Sequence, residues 1–66
     1  MKMKALFIYN PRAGKGLIKQ NLFEIVSVAD EAGYYLTLAP TRKRDDVSRI
    51  LDDFNIDDYD RIICAG

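Results

Sequence analysis

Three short apolar runs separated by two stretches of helical periodicity leave this chain few folds to adopt. Residues 3 to 9 are largely apolar, with aromatic and β-branched members, and Asn10-Pro11 cuts them off, which favours a buried strand over a helix. From Leu17 the period changes. Ile18, Leu22, Ile25, Val26, Ala29 and Ala32 recur at three and four with charged and amide residues between them, and Gly33 stands where a helix C-terminal glycine belongs. The pattern predicts one amphipathic helix of about four turns. Tyr34 to Ala39, closed by Pro40, is a second strand. Val47, Ile50, Leu51 and Phe54 then fall at i, i+3, i+4 and i+7, predicting a helix from about 45 to 55, with Asp45 and Asp46 at the positive end of its dipole. After the aspartate-rich turn Asn55 to Asp60, the apolar run Arg61 to Ala65 is a third strand, ending at Gly66.

The order β-α-β-α-β places the chain in the α/β class, as half of a doubly wound parallel sheet with helices on its faces. Ligands of such sheets sit beyond the carboxyl ends of the strands. With the first strand central, the crevice between strands one and three is bordered by loops that begin at Asn10 and Gly66.

Composition narrows the chemistry. The 66 residues include no His and one Cys, so a Ser-His-Asp triad, a Cys-His dyad and a His/Cys zinc site are all excluded, as is an internal disulfide. A chain of this size buries only about 60% of its unfolded surface and is marginal without such supports. It reads as one small domain or a piece of a larger one, with no linker and no second domain. The run Ala5 to Tyr9 is too short for a signal-peptide core or a membrane span, and the expectation is a soluble, cytoplasmic chain. Ten basic and ten acidic residues cancel, yet residues 1 to 19 hold five bases and no acid, while residues 45 to 60 hold seven aspartates and only Arg49.

Asn10-Pro-Arg-Ala-Gly-Lys-Gly16 carries most of the chemistry. A glycine-rich turn from strand to helix lets backbone N–H groups approach a phosphate, and Arg12 and Lys15 add charge and donors. It is no Walker P-loop, because Gly14 and Gly16 are one residue apart and Leu17 follows. Nor is it the dinucleotide fingerprint, which needs a glycine where Lys19 stands and an acid near Ala39-Pro40-Thr41. A plain tight turn between strand and helix is the alternative.

The Asn10-Pro11 turn with Gly14 and Gly16, Thr41 after the second strand, and Asp60-x-Ile-Ile-x-Ala-Gly66 closely resemble the start of the diacylglycerol kinase catalytic domain family. That family includes bacterial soluble lipid kinases, with sphingosine and ceramide kinases as relatives. The resemblance implies an incomplete nucleotide-binding domain: residues 1–66 match its amino-terminal part, reaching the first glycine of a Gly-Gly-Asp-Gly-Thr loop. It implies ATP against Asn10, Pro11, Arg12, Ala13 and Gly14, with Thr41 and Gly66. Asn10 would hydrogen-bond the nucleotide, Arg12 would meet a phosphate, Gly14 would let the backbone approach, and the Thr41 hydroxyl would contact the nucleotide from the second loop. The Mg²⁺-linked aspartate and the catalytic acid would lie beyond residue 66, so neither a catalytic nor a metal residue is named in this chain. The implied partners are ATP and a lipid alcohol such as diacylglycerol, with no nucleic acid. Two alternatives stand beside this: a non-enzymatic α/β regulatory or interaction module, and a fragment of an NAD kinase or phosphofructokinase-like enzyme. A receiver module would need an aspartate where Cys64-Ala65-Gly66 stands.

Arg42-Lys43-Arg44 is expected on the same sheet edge as Arg12 and Lys15, where it is either a solvated loop, part of a phosphate site, or a rim leaning on anionic lipid at the inner membrane face. Asp52-Asp53 and Asp57-Asp58-x-Asp60 lack the calcium-loop pattern and read as a solvated helix end and turn. Cys64 reads as a small core residue and Tyr9 as packing beside the sheet. With half of the phosphate cradle missing, the isolated 66 residues are expected to bind ATP weakly at best. Nanomolar binding in calorimetry would contradict that.

Overall fold

A computed structural model describes residues 2–43 and 46–65; Met1, Arg44, Asp45 and Gly66 lie outside the described residues. Strand β1 runs Met3–Tyr9, helices α1 and α2 run Leu17–Gln20 and Leu22–Glu31, and β2 runs Tyr34–Pro40. Helix α3 spans Asp46–Asp53 and β3 spans Arg61–Ala65. The three strands form a parallel sheet, as the alternation of strands and helices implies, and their order β2-β1-β3 makes β1 central.

The register assigns the faces. Ala5 pairs with Leu36 and Arg61, Phe7 with Leu38 and Ile63, and these residues share one face because side chains alternate along each strand. Leu6 and Ile8 point to the other face with Ala39, where Ile50 completes a buried cluster and Val47, Leu51, Phe54 and Tyr59 pack around it. The whole predicted stripe of α3 is therefore used. On the first face, Ile25, Val28 and Ala29 of α2 and Ala32 just after it line an apolar cavity of about 270 Å³ with Ala5, Phe7, Tyr34, Leu36 and Ile63. Because β1 is covered on both sides, Ala5 to Tyr9 are all buried, which is why that run reads as continuously apolar.

The single four-turn helix expected from Leu17 is instead two helices, with a break at Asn21. Asn21 donates both its backbone N–H (3.0 Å) and its Nδ2 (2.8 Å) to the Leu17 carbonyl, and its backbone leaves helical geometry at φ −103°, ψ 12°. The ladder resumes when Ile25 N–H reaches the Asn21 carbonyl at 3.0 Å. Ile18, Leu22, Ile25 and Ala29 keep a half-buried face, but Val26 and Ala32 are exposed, and Phe23 is 87% exposed. Gly33, at φ 91°, ends α2 as its position implied.

Cys64 is exposed and is not the core residue expected. It lies on β3, an outer strand beyond the cover of α2 and α3, where Ile62 and Ile63 are also each 41% exposed. Phe7, by contrast, is buried, and Leu36 and Leu38 are half-buried, so the open part of the sheet is β3. At the amino end of the sheet, Lys4 N–H donates to Asp60 Oδ2 and Asp60 N–H to the Lys4 carbonyl, both at 2.8 Å, so Asp60 braces β1 against the turn before β3. Across the first face, Arg61 Nε donates to the Tyr34 hydroxyl at 3.2 Å, joining β3 to β2 over the small Ala5. Among the described residues, no helix is long and apolar enough to cross a membrane.

With β3 uncovered and both outer strands offering unpaired backbone edges, the isolated 66 residues are expected to aggregate, unfold in part, or pair edge to edge. Light scattering and melting at several concentrations test this. A monodisperse monomer whose cooperative melt is independent of concentration would contradict it.

Candidate functional site

The loops that leave the carboxyl ends of the strands start from fixed positions. Thr41 N–H donates to the Tyr9 carbonyl at 2.7 Å, and Asn10 N–H donates to the Ala65 carbonyl at 3.2 Å. Sheet-like pairing thus continues one step past β2 on one side of β1 and one step past β1 itself on the other. Asn10 then shapes the turn itself: its Oδ1 accepts the Arg12 N–H at 2.9 Å and its carbonyl accepts the Ala13 N–H at 3.1 Å. Pro11 occupies the second position of this turn, where its fixed φ fits, and Arg12 (φ −95°, ψ −13°) has the geometry of the third position of a type I turn.

Three consecutive residues follow in the left-handed region: Gly14 at φ 58°, Lys15 at φ 57° and Gly16 at φ 81°. A Cβ added at Gly14 would meet only ordinary contacts with Leu17, so what position 14 requires is backbone freedom rather than space. Lys15 is the one non-glycine residue with positive φ among the described residues, a conformation that costs an L-residue roughly 1–2 kcal/mol. The turn after β1 is therefore held by its neighbours in a shape that its central residue does not favour.

Asn10, Arg12, Thr41, Arg42 and Lys43 line a cavity of about 290 Å³ between the loops after β1 and β2. The structure brings together three of the expected site residues, Asn10, Arg12 and Thr41, and adds Arg42 and Lys43 from the basic run. Pro11, Ala13 and Gly14 belong to the same turn but do not line the cavity. Gly66, expected on the β3 side, and Arg44 lie outside the described residues. The cavity opens beside β1 toward β2, whereas the crevice expected from topology lies toward β3. Three cations and no acid line it, so its field attracts anions, and its volume is near the lower end of the roughly 300–1,000 Å³ of ligand pockets, suited to a phosphate chain. These donors fit phosphate oxygens. They do not fit a divalent cation, which needs oxygen ligands, and among the described residues no group of three His, Cys, Asp or Glu gathers to supply them.

Asp46 has a role that the sequence pattern does not reveal. Its place at the start of α3 suits the helix dipole, yet it is only 2% exposed and its carboxylate accepts Arg49 Nε at 2.6 Å, an Arg49 terminal nitrogen at 3.0 Å and the Arg42 N–H at 2.7 Å. Arg49 also reaches Asp53 at 3.1 Å. The Arg49 hydrogen bonds, then the Arg42 N–H, hold the Asp46 carboxyl well below the usual carboxylate range. Because its pKa is lowered by folding, the associated stability is present above about pH 4, the ordinary aspartate value, and is lost as the pH falls below it. The signal for the Arg49 pair was in the sequence: an acid three residues before an arginine, two positions after a basic run.

Residues 4–66 match the family model described as Diacylglycerol kinase catalytic domain. Over all 66 residues the chain is 33% identical to the diacylglycerol kinase of Staphylococcus carnosus strain TM300, of which it spans 22%. It is equally similar, at 33%, to the diacylglycerol kinases of Staphylococcus aureus strains JH9 and Newman, spanning 21% of each. The chain thus covers about a fifth of the length of the curated relatives it matches.

The left-handed turn has a direct test in stability. Gly14→Ala is expected to destabilise by about 1–2 kcal/mol, while Lys15→Gly is expected to be neutral or to stabilise by up to about 1 kcal/mol. Urea denaturation of both variants in the full-length protein checks this, and equal destabilisation by the two would show that the turn is not left-handed at Lys15.

Proposed function

The chain belongs to the diacylglycerol kinase catalytic domain family, and on that premise we propose that it is the ATP-binding portion of an ATP-dependent lipid kinase acting on diacylglycerol or a related lipid alcohol. The observation that carries the reading is the cavity at the carboxyl edge of the sheet, with Arg12 supplied by the first loop and Arg42 and Lys43 by the second. Phosphoryl transfer asks a protein chiefly to position the phosphates and to neutralise the charge on their oxygens. Arg12 and Arg42 can do both through paired N–H groups, and Lys43 adds a point charge. The Thr41 hydroxyl is a further donor. With Asn10 Oδ1 engaged by the Arg12 N–H, the side-chain amide nitrogen is what Asn10 offers a nucleotide. Gly14 completes the turn, and Gly66 is assigned to the same site from the resemblance.

In this reading residues 1–66 form the first part of a nucleotide-binding domain and are inactive alone. Mg²⁺, when bound, would supply part of the neutralisation of phosphate charge, and its protein ligands and the catalytic acid would come from elsewhere in the full-length protein. In this reading the enzyme works in the cytoplasm and meets its lipid at the inner membrane face. A receiver-like module is disfavoured, because Cys64 and Ala65 stand where its phosphate-accepting aspartate would be.

The test is transfer of the γ-phosphate from labelled ATP to diacylglycerol in mixed vesicles by the full-length protein, together with nucleotide affinities of its variants. Arg12→Ala is expected to weaken ATP binding about 10- to 100-fold, the equivalent of one charge-assisted contact. Gly14→Val, which forces a branched side chain into the left-handed region, is expected to cost far more affinity than Lys43→Ala. Equal losses from Gly14→Val and Lys43→Ala would remove the turn from the site.

A further inference from the structure

The loop after β2 carries two of the three cations of the cavity, and its backbone is held at successive amides by different partners. Thr41 N–H is bound to the Tyr9 carbonyl of β1, and Arg42 N–H to the Asp46 carboxylate of α3. An acid at the start of a helix ordinarily accepts N–H groups from the first turn of that helix. Asp46 instead reaches back four residues to the loop, at 2.7 Å, while Arg49 grips the same carboxylate through two nitrogens. What this carboxylate orders is the loop.

Burial gives the contact its weight. Asp46 is the most buried charged side chain among the described residues, and Arg49, about half exposed, carries its counter-charge outward to solvent and Asp53. Removing the carboxylate's charge would loosen the Arg42 backbone while leaving the Arg42 side chain intact.

Resting on the nucleotide reading above, we propose that Asp46 is a positioning residue for the phosphate cavity: it fixes the backbone from which the Arg42 guanidinium reaches the phosphates of ATP, with Arg49 holding Asp46 in turn. Asp46 does not touch the nucleotide. It acts through Arg42, and Arg42→Ala should therefore make the affinity largely indifferent to the state of Asp46.

A double-mutant cycle on the full-length protein, read as KM for ATP and kcat, tests this. Arg42→Ala is expected to raise the KM about 10-fold and Asp46→Asn about 5-fold, with kcat kept within about twofold, and the double variant should exceed Arg42→Ala alone by less than about twofold. Multiplicative losses, or an unchanged KM in Asp46→Asn while Arg42→Ala weakens binding, would overturn the positioning role. An unchanged KM in Arg42→Ala would instead overturn the assignment of the cavity to phosphate, and the positioning role with it. Should Asp46→Asn fail to fold, Arg49→Gln decides: its side chain is half exposed, and its KM must rise in the same sense and lose that rise in the Arg42→Ala background.

Discussion

Parallel pairing on both sides of β1 is the constraint on which the rest of this structure depends. A strand bonded to two neighbours and covered by helices on both faces has no side that can be polar, so Ala5 to Tyr9 are apolar without alternation. Two parallel partners in turn require two crossovers, and their helices fall on opposite faces because each connection must return to the amino end of the sheet in the same hand. The consequence for function is that every loop leaving a strand emerges at one edge. Arg12, Thr41, Arg42 and Lys43 meet there although they are up to thirty-one positions apart in the sequence.

Much of this was legible because it rests on periodicity. The bounds of β1, the closing role of Pro40 and the stripe Val47, Ile50, Leu51, Phe54 are direct records of which side chains must be apolar. The interruption at Asn21 was not, since a helix pattern records faces and says little about where an amide side chain will compete with the backbone for a carbonyl. Cys64 was misplaced for a related reason. A strand's apolar composition shows that it can be covered, whereas its actual cover depends on where α2 and α3 lie over the sheet.

The site divides in the same way. The turn from Asn10 to Gly16 announces itself through Asn, Pro and Gly at positions where the backbone needs them, and the basic loop through its charge. Asp46 makes no such announcement, because an aspartate near the start of a helix has several ordinary uses and only the three-dimensional path of the loop selects among them. The same physical element, a carboxylate, serves as an exposed cover at Asp57 and Asp58 and as a buried anchor at Asp46. Composition treats these alike. Burial and the partners of each oxygen separate them.

The hydrogen bonds from Thr41 to Tyr9 and from Asn10 to Ala65 bear on the timescale of the site. Because the two walls of the cavity are rooted in the sheet itself, spreading them apart at the base would require opening backbone bonds next to a buried strand, an event that belongs to the slow, subglobal class of fluctuation. Rotamer changes of long basic side chains, by comparison, take picoseconds to nanoseconds when exposed. A ligand arriving at this cavity is therefore met by arginine and lysine tips that readjust quickly on a floor that does not, so the site's geometry is set before the encounter and only its fingertips respond to it.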